Sequence, residues 1–342
     1  MILLNNTTEA TSSIFGWQFQ ISASIYLMIK YFGRFKKLKV ESMEEDIEIE
    51  LENGKKIYAQ AKSKQRPLDN NNDHSVKLNQ ALKTLSSKNK IDAEKLYYVN
   101  NLEPNPLNSG TNEFNELTIL DYTELTESSK KKIDIQLDAL GIKDFEKDKF
   151  TILKIPYFGN DKDQRQKHID KKIAQFLISM DYSESYSKNL MDIWQTEFLH
   201  NATIPNNEVY IKKDDIIWTL VVIKLKNENN LLEYKKDFGV DEEEFFQAIE
   251  KYEEFINYKE GHFSIVNEIS YIYDDYIRKN SDKLIFDFIN ENINDIYNII
   301  FGKDIKDADI IEITCSKIIT RLILLRKSMF KKIIEGACNY GD

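Results

Sequence analysis

The sequence predicts an α/β domain over residues 1–165 followed by a mainly helical domain over 166–342. Three observations carry this reading. Two β-rich stretches flank the turn "LENGKK" after a first helix, and an apolar strand, "KLYYVNN", follows a second helix. From about residue 165 onward apolar residues recur at helical spacing with few breakers.

Taken in order, residues 11–35 read as a helix, with Thr11, Ser12 or Ser13 to cap it and Ile14, Ile21, Ile25, Met28 and Phe32 on its apolar face. Residues 38–51 and 55–64 read as two strands. A helix at about 74–88 follows, then the strand "KLYYVNN", then strand candidates at "NELTILDY" and "FTILKIPYF". "LDNNNDH" and "NNLEPNPLNSGTN" are polar and Pro/Asn/Gly loops. "IDKKIAQFLISM", "YSKNLMDIWQTEFLH", "EEEFFQAIEKYEEFI", "KLIFDFINENINDIYNII" and "IIEITCSKIITRLILLRKSMFKKII" carry the helical periodicity of the second half, and the boundary is expected at 160–170. His168, His200 and His262 stand singly there, and nothing in that half looks catalytic.

Composition narrows the function classes. The two cysteines, Cys315 and Cys338, lack CxxC spacing, which argues against a structural zinc site or a disulfide framework. "MILLNNTTEA" lacks the features of a signal peptide, and "DIIWTLVVIKL" falls short of the roughly 20 apolar residues of a membrane span, so the expectation is a soluble cytoplasmic protein. The net charge of −10 is unevenly spread. Residues 1–100 hold 15 Lys/Arg against 12 Asp/Glu, a net of +3, with basic clusters at "KYFGRFKKLK" and "KSKQR". Lys64 and Arg66 of the second cluster are candidate DNA contacts.

The hairpin has two possible registers, one residue apart, and they put different residues on each face. A two-residue Asn-Gly turn pairs Glu52 with Lys55, whereas a three-residue turn with Gly54 in the left-handed region pairs Leu51 with Lys55. Only the second gives a clean apolar face: Ile47, Ile49, Leu51, Ile57, Ala59 and Ala61. The other face then collects Asp46, Glu48, Glu50, Lys56, Tyr58, Gln60 and Lys62, so Asp46, Gln60 and Lys62 converge at the end away from the turn.

That constellation is the core of a metal-dependent phosphodiesterase. Asp46 and the carbonyl oxygen of Gln60 offer oxygen ligands to Mg²⁺ or Mn²⁺, and Lys62 reaches the attacking water and the phosphate. A further carboxylate is wanted; Glu41 is the nearest candidate, with Glu44 and Glu45 as substitutes. The plain alternative is a solvated hairpin face with cross-strand ion pairs.

With "FGWQFQ" on the first helix, then "VESMEEDIEI", then "YAQAK", a helix and "LYYVNN", the sequence resembles the PD-(D/E)XK nuclease fold in its QxK variant. It is most similar to the nuclease domain of the CD-NTase-associated double-stranded DNA endonucleases of CBASS antiphage systems, whose relatives serve Lamassu-type and HerA-associated systems. The family's G-F-x-Y-Q signature falls on Gly16, Trp17, Gln18, Phe19 and Gln20, its acidic motif on Asp46 with Glu41 before it, and its QxK on Gln60 and Lys62. The likeness covers about residues 10–160 and implies that Gln20 approaches the site from the helix, with Gly16 one turn earlier permitting close helix–sheet packing.

It implies a Mg²⁺-dependent endonuclease that acts on double-stranded DNA in antiphage defence, leaving a 5′-phosphate. The second half looks too helical for the SAVED ligand-sensing domain that follows in the CBASS enzymes. A helical half suits docking on a partner and oligomerisation on activation. The chain has no P-loop, so an ATPase would be a partner, SMC-like or HerA-like. The alternative is a catalytically inactive subunit that keeps the nuclease fold as a scaffold, although such a copy should have lost Asp46 or Lys62. A restriction enzyme would want a basic recognition domain, and residues 101–342 carry a net of −13.

Overall fold

The structure is a computed structural model that describes residues 5–42, 45–65, 71–87, 92–102, 107, 114, 116–159, 161–204, 208–226, 235–257, 262–327 and 335. It is a mixed α/β structure with a seven-stranded mixed sheet and a helical C-terminal region. The chain divides into two compact units, the first running to Lys213 and the second spanning Asp214–Ala337. The first unit therefore extends past the expected 165/166 boundary. Its last helices share a core with α1 rather than with the helical region.

In the first unit the elements are α1 (Asn5–Lys30), β1 (Phe35–Val40), β2 (Ile47–Leu51), β3 (Lys56–Lys62), α2 (Asn71–Ser86), β4 (Ala93–Asn100), β5 (Thr118–Asp121), α3 (Glu127–Ala139), β6 (Phe150–Lys154), α4 (Lys162–Ser179), α5 (Ser187–Thr203) and β7 (Ile211–Lys212). The strand order is β5-β6-β4-β3-β2-β1-β7. β3, β4 and β6 run parallel, and the other neighbours are antiparallel.

The hairpin has the register that the apolar pattern selects: Ile47 pairs with Ala59 and Ile49 with Ile57. Gly54 sits at φ +78, and the Leu51 amide donates to the Lys55 carbonyl at 2.8 Å. A left-handed residue is cheap only for glycine, and that conformation closes the three-residue turn. Ile47, Ile49, Leu51, Ile57 and Ala59 are fully buried. Their face lies beneath α1: Tyr31, the residue after its last turn, meets Tyr97 hydroxyl to hydroxyl at 2.7 Å, and Tyr97 pairs with Ala59. The opposite face is covered as well: Tyr58, Leu96 and Tyr98 pack with Leu78, Leu82 and Leu85 of α2. Phe32, in the turn after α1, meets Phe176 of α4 at 4.8 Å, and Phe176 meets Trp194 of α5 at 5.9 Å, which ties both later helices to this unit.

Three expectations are corrected here. α1 begins at Asn5, so Thr11, Ser12 and Ser13 lie inside it rather than at its start. Residues 38–51 are not one strand: β1 ends at Val40 and β2, antiparallel to it, begins at Ile47. Between the two strands the chain reverses, with the Glu41 and Ser42 amides donating to the Asp46 and Glu45 carbonyls. Finally, a Cβ on Gly16 would meet no described atom within 4 Å, so this glycine does not mediate close packing.

The second unit holds α6 (Lys213–Lys226, beginning at its boundary), α7 (Lys235–Phe238), α8 (Glu242–Asn257), α9 (His262–Lys279), α10 (Ile285–Glu291), α11 (Ile293–Phe301) and α12 (Ile310–Leu325). The apolar run at 215–225 is helical, and the periodic stretch 283–300 breaks into α10 and α11. Cys315, Ile318, Ile319, Leu322 and Ile323 of α12 are buried. Beside them Glu312 accepts hydrogen bonds from Lys251 at 2.9 Å and from the Tyr297 hydroxyl at 2.6 Å, and these two donors hold its carboxyl below the usual range. Among the described residues no helix is long and apolar enough to cross a membrane.

Candidate active site

The β1–β2 reversal brings Glu41 back onto Asp46. The Glu41 amide donates to the Asp46 carbonyl at 2.9 Å, and Ser42 closes the loop through its amide and its hydroxyl, each 3.0 Å from the Glu45 carbonyl. Glu41 takes φ +51, a left-handed conformation that costs a residue with a Cβ on the order of 1–2 kcal/mol. The loop's hydrogen bonds hold it there.

Asp46 stands one residue before β2, level with the end of β3. Its Oδ2 accepts the Ala61 amide at 2.9 Å and the Lys62 ammonium at 3.1 Å. Gln60 is 3% exposed, and its Nε2 donates to Glu45 Oε2 at 2.7 Å. That bond fixes which way the amide lies and turns Oε1 away from Glu45. Glu45 thus orients Gln60 rather than substituting for Glu41. From α1, Gln20 is hydrogen-bonded to the Glu41 carboxylate. Its own Oε1 is buried without a hydrogen-bond partner among the described residues.

Acids crowd this corner. Burial, and then the charge of Asp46, raise Glu41 above the usual carboxyl range, against the opposing effects of the Gln20 hydrogen bond and the Lys62 charge. Among the described residues no three His, Cys, Asp or Glu side chains are gathered as a metal cluster. The donor set here is two carboxylates and amide oxygens. Those are hard oxygen donors, and the crowded carboxylates and the unpartnered Gln20 oxygen are what a divalent cation would relieve, so the residues fit Mg²⁺.

The structure thus brings Gln20, Glu41, Asp46, Gln60 and Lys62 to one corner of the sheet. Lys64 follows the same strand, and its backbone is clamped by Asn101, whose Oδ1 accepts from the Lys64 amide at 2.8 Å. Asn101 Nδ2 donates to the Lys64 and Tyr157 carbonyls at 2.8 and 2.7 Å. Arg66 and Glu44 lie outside the described residues. The sequence reading missed the supporting roles of Glu45 and Asn101. The signal available for Asn101 was a pair of asparagines ending a buried strand, where a polar side chain must find backbone partners.

No family model matches this sequence, and a search of curated proteins gives no match. Among solved structures, a Moraxella osloensis Cap4 SAVED/CARF-domain containing receptor is similar over 63% of this chain and 48% of its own, at 14% identity and a TM-score of 0.40. An Acinetobacter baumannii Cap4 SAVED/CARF-domain containing receptor, solved with the cyclic trinucleotide 2'3'3'-cAAA, is similar over 62% and 45% at 14% identity and a TM-score of 0.37. The chain spans about half the length of these receptors. At this level the likeness assigns no activity, and the weight falls on the site itself.

Proposed function

We propose that this chain is a Mg²⁺-dependent DNA endonuclease with a PD-(D/E)XK-type core in its QxK variant, the effector subunit of a bacterial antiphage defence complex in the cytoplasm. The observation that carries the proposal is the convergence of Asp46, Gln60 and Lys62 with Glu41 and Gln20, in an element order of α1, β1–β3, α2 and β4. There Lys62 faces Asp46 and Glu41, with Gln20 bonded to Glu41.

Asp46, Glu41 and the Gln60 carbonyl would hold the ion. Bound there, Mg²⁺ supplies an acidified water and positive charge for the scissile phosphate. Lys62, held at 3.1 Å from Asp46, would orient the water and bind a phosphate oxygen. Glu45 keeps the Gln60 oxygen available, and Gln20 steadies the Glu41 carboxylate. Lys64 and Arg66 would follow the DNA backbone. The helical unit would dock a protein partner, an SMC-like or HerA-like ATPase, and hold the nuclease in check until it oligomerises.

Plasmid cleavage with Mg²⁺ tests this, comparing the wild type with Lys62→Ala at dilute and high protein concentration. Cleavage by the wild type and none by Lys62→Ala is expected, with a steep rise at high concentration. Absence of cleavage by both, alone and with the products of neighbouring genes, would replace the enzyme with an inactive scaffold on the same fold.

A further inference from the structure

A second concave surface lies on α1 one turn before Gln20. A groove of about 730 Å³ runs between α1, α4 and α5, with Trp17, Gln18, Tyr157, Arg165, Gln166 and Gln195 among its walls. Ile14 lies on it too and is 61% exposed, although the helix periodicity places it on the apolar face. The mixture is specific in kind: a half-exposed indole, a phenol ring, a guanidinium and several amides. Gln166 is 5% exposed and hydrogen-bonded to Tyr157, while its Oε1 has no hydrogen-bond partner among the described residues. A buried carbonyl oxygen without a donor normally costs stability, so a ligand N–H is the natural complement.

The groove is tied to the candidate active site through α1, which carries Trp17 one turn before Gln20, and through Asn101. Tyr157 forms part of its wall, and the Tyr157 carbonyl is held by Asn101, which also clamps Lys64 just past Lys62. Aromatic, amide and guanidinium groups together are the chemistry that stacks an unpaired base and reads its edge. Lys162 at the rim is neutralised by Asp192 at 2.5 Å, which leaves Arg165 as the cation for a phosphate.

We infer that this groove takes an unstacked nucleobase of the substrate strand next to the scissile phosphate, with Trp17 as the stacking platform and Gln166 as the acceptor for the base's N–H. The inference rests on the nuclease reading and adds a preference for frayed or single-stranded segments.

Trp17 can report on itself, because Trp194 is fully buried and Trp218 is 4% exposed. The test uses full-length Lys62→Ala protein with Mg²⁺ and end-labelled oligonucleotides, read by label anisotropy and tryptophan emission. Quenching by a single strand is expected, with about a tenfold loss of affinity in Trp17→Ala, largely restored by Trp17→Phe, and little change for blunt duplex. Gln166→Leu, which leaves the platform in place, should also weaken the single strand. Anisotropy-detected binding with unchanged emission and equal affinity for Trp17→Ala would overturn the groove assignment alone. Equal quenching by free mononucleotides would overturn the strand as occupant. Absence of any oligonucleotide binding would instead bring down the nuclease reading beneath it.

Discussion

The two ends of one hairpin face carry the same alternation of charges and do opposite things. Near the turn each acid has its base: Lys56 meets Glu48 at 3.0 Å, and Glu50 meets Lys36 at 2.7 Å and Lys37 at 3.1 Å. That end is the plain reading of the sequence, a face of cross-strand ion pairs. At the far end Glu41 and Asp46 both face Lys62, while Glu45 is engaged by the Gln60 amide. One acid is strained at φ +51, and the Gln20 amide oxygen lacks a hydrogen-bond partner among the described residues. Charge alternation alone therefore says little. What separates a solvated face from a site is whether the charges balance where the backbone brings them together.

The largest effect that would break this comparison comes from the lysines. Lys62→Ala is expected to lower cleavage by about 10²–10⁴-fold, and Lys56→Ala to leave the rate unchanged in the same gel assay. Equal rates for both variants would erase the distinction between the two ends.

Glu45 provides the next test. Glu45→Ala frees the Gln60 amide and should weaken Mg²⁺-dependent activity by about 10–100-fold, as loss of an orienting partner does, with the loss concentrated in the metal dependence. Extra Mg²⁺ should recover much of it. A defect that no metal concentration relieves would argue that Glu45 only supports folding.

Glu41 sharpens the comparison through pH. Its raised pKa in the metal-free fold means that the protonated carboxyl favours folding: that contribution is complete below the unfolded pKa and is lost as pH rises through the folded one. Glu41→Gln should thus raise the metal-free melting temperature at about pH 8, with the gain vanishing toward about pH 4. Mg²⁺ at a hundred times its Kd should stabilise the wild type by about 2.7 kcal/mol and the variant far less. The smallest effect belongs to the turn end, where Lys36→Ala, at an exposed pair whose acid keeps Lys37, should cost about 1 kcal/mol or less of stability by denaturant unfolding.

Much of this was legible in the residues. The hairpin register followed from Ile47, Ile49 and Ile57 needing one face, and that alone placed Asp46 beside Lys62. The break at Glu41–Asp46 was not legible, because β1 and the acidic run share a strand-like alternation and nothing local marks a left-handed glutamate. The role of Glu45 was hidden for the same reason: in a continuous strand it would face away from Gln60. The extent of the first unit was also missed, since helical periodicity in α4 and α5 does not say which core receives Phe176 and Trp194.

The most direct measurement is Mn²⁺ binding followed by electron paramagnetic resonance, comparing wild type, Asp46→Asn and Glu48→Gln. One bound ion is expected in the wild type and in Glu48→Gln, and none in Asp46→Asn. Binding that survives Asp46→Asn, or that fails in the wild type even with DNA present, would contradict the assignment of this corner of the sheet as a metal-dependent active site.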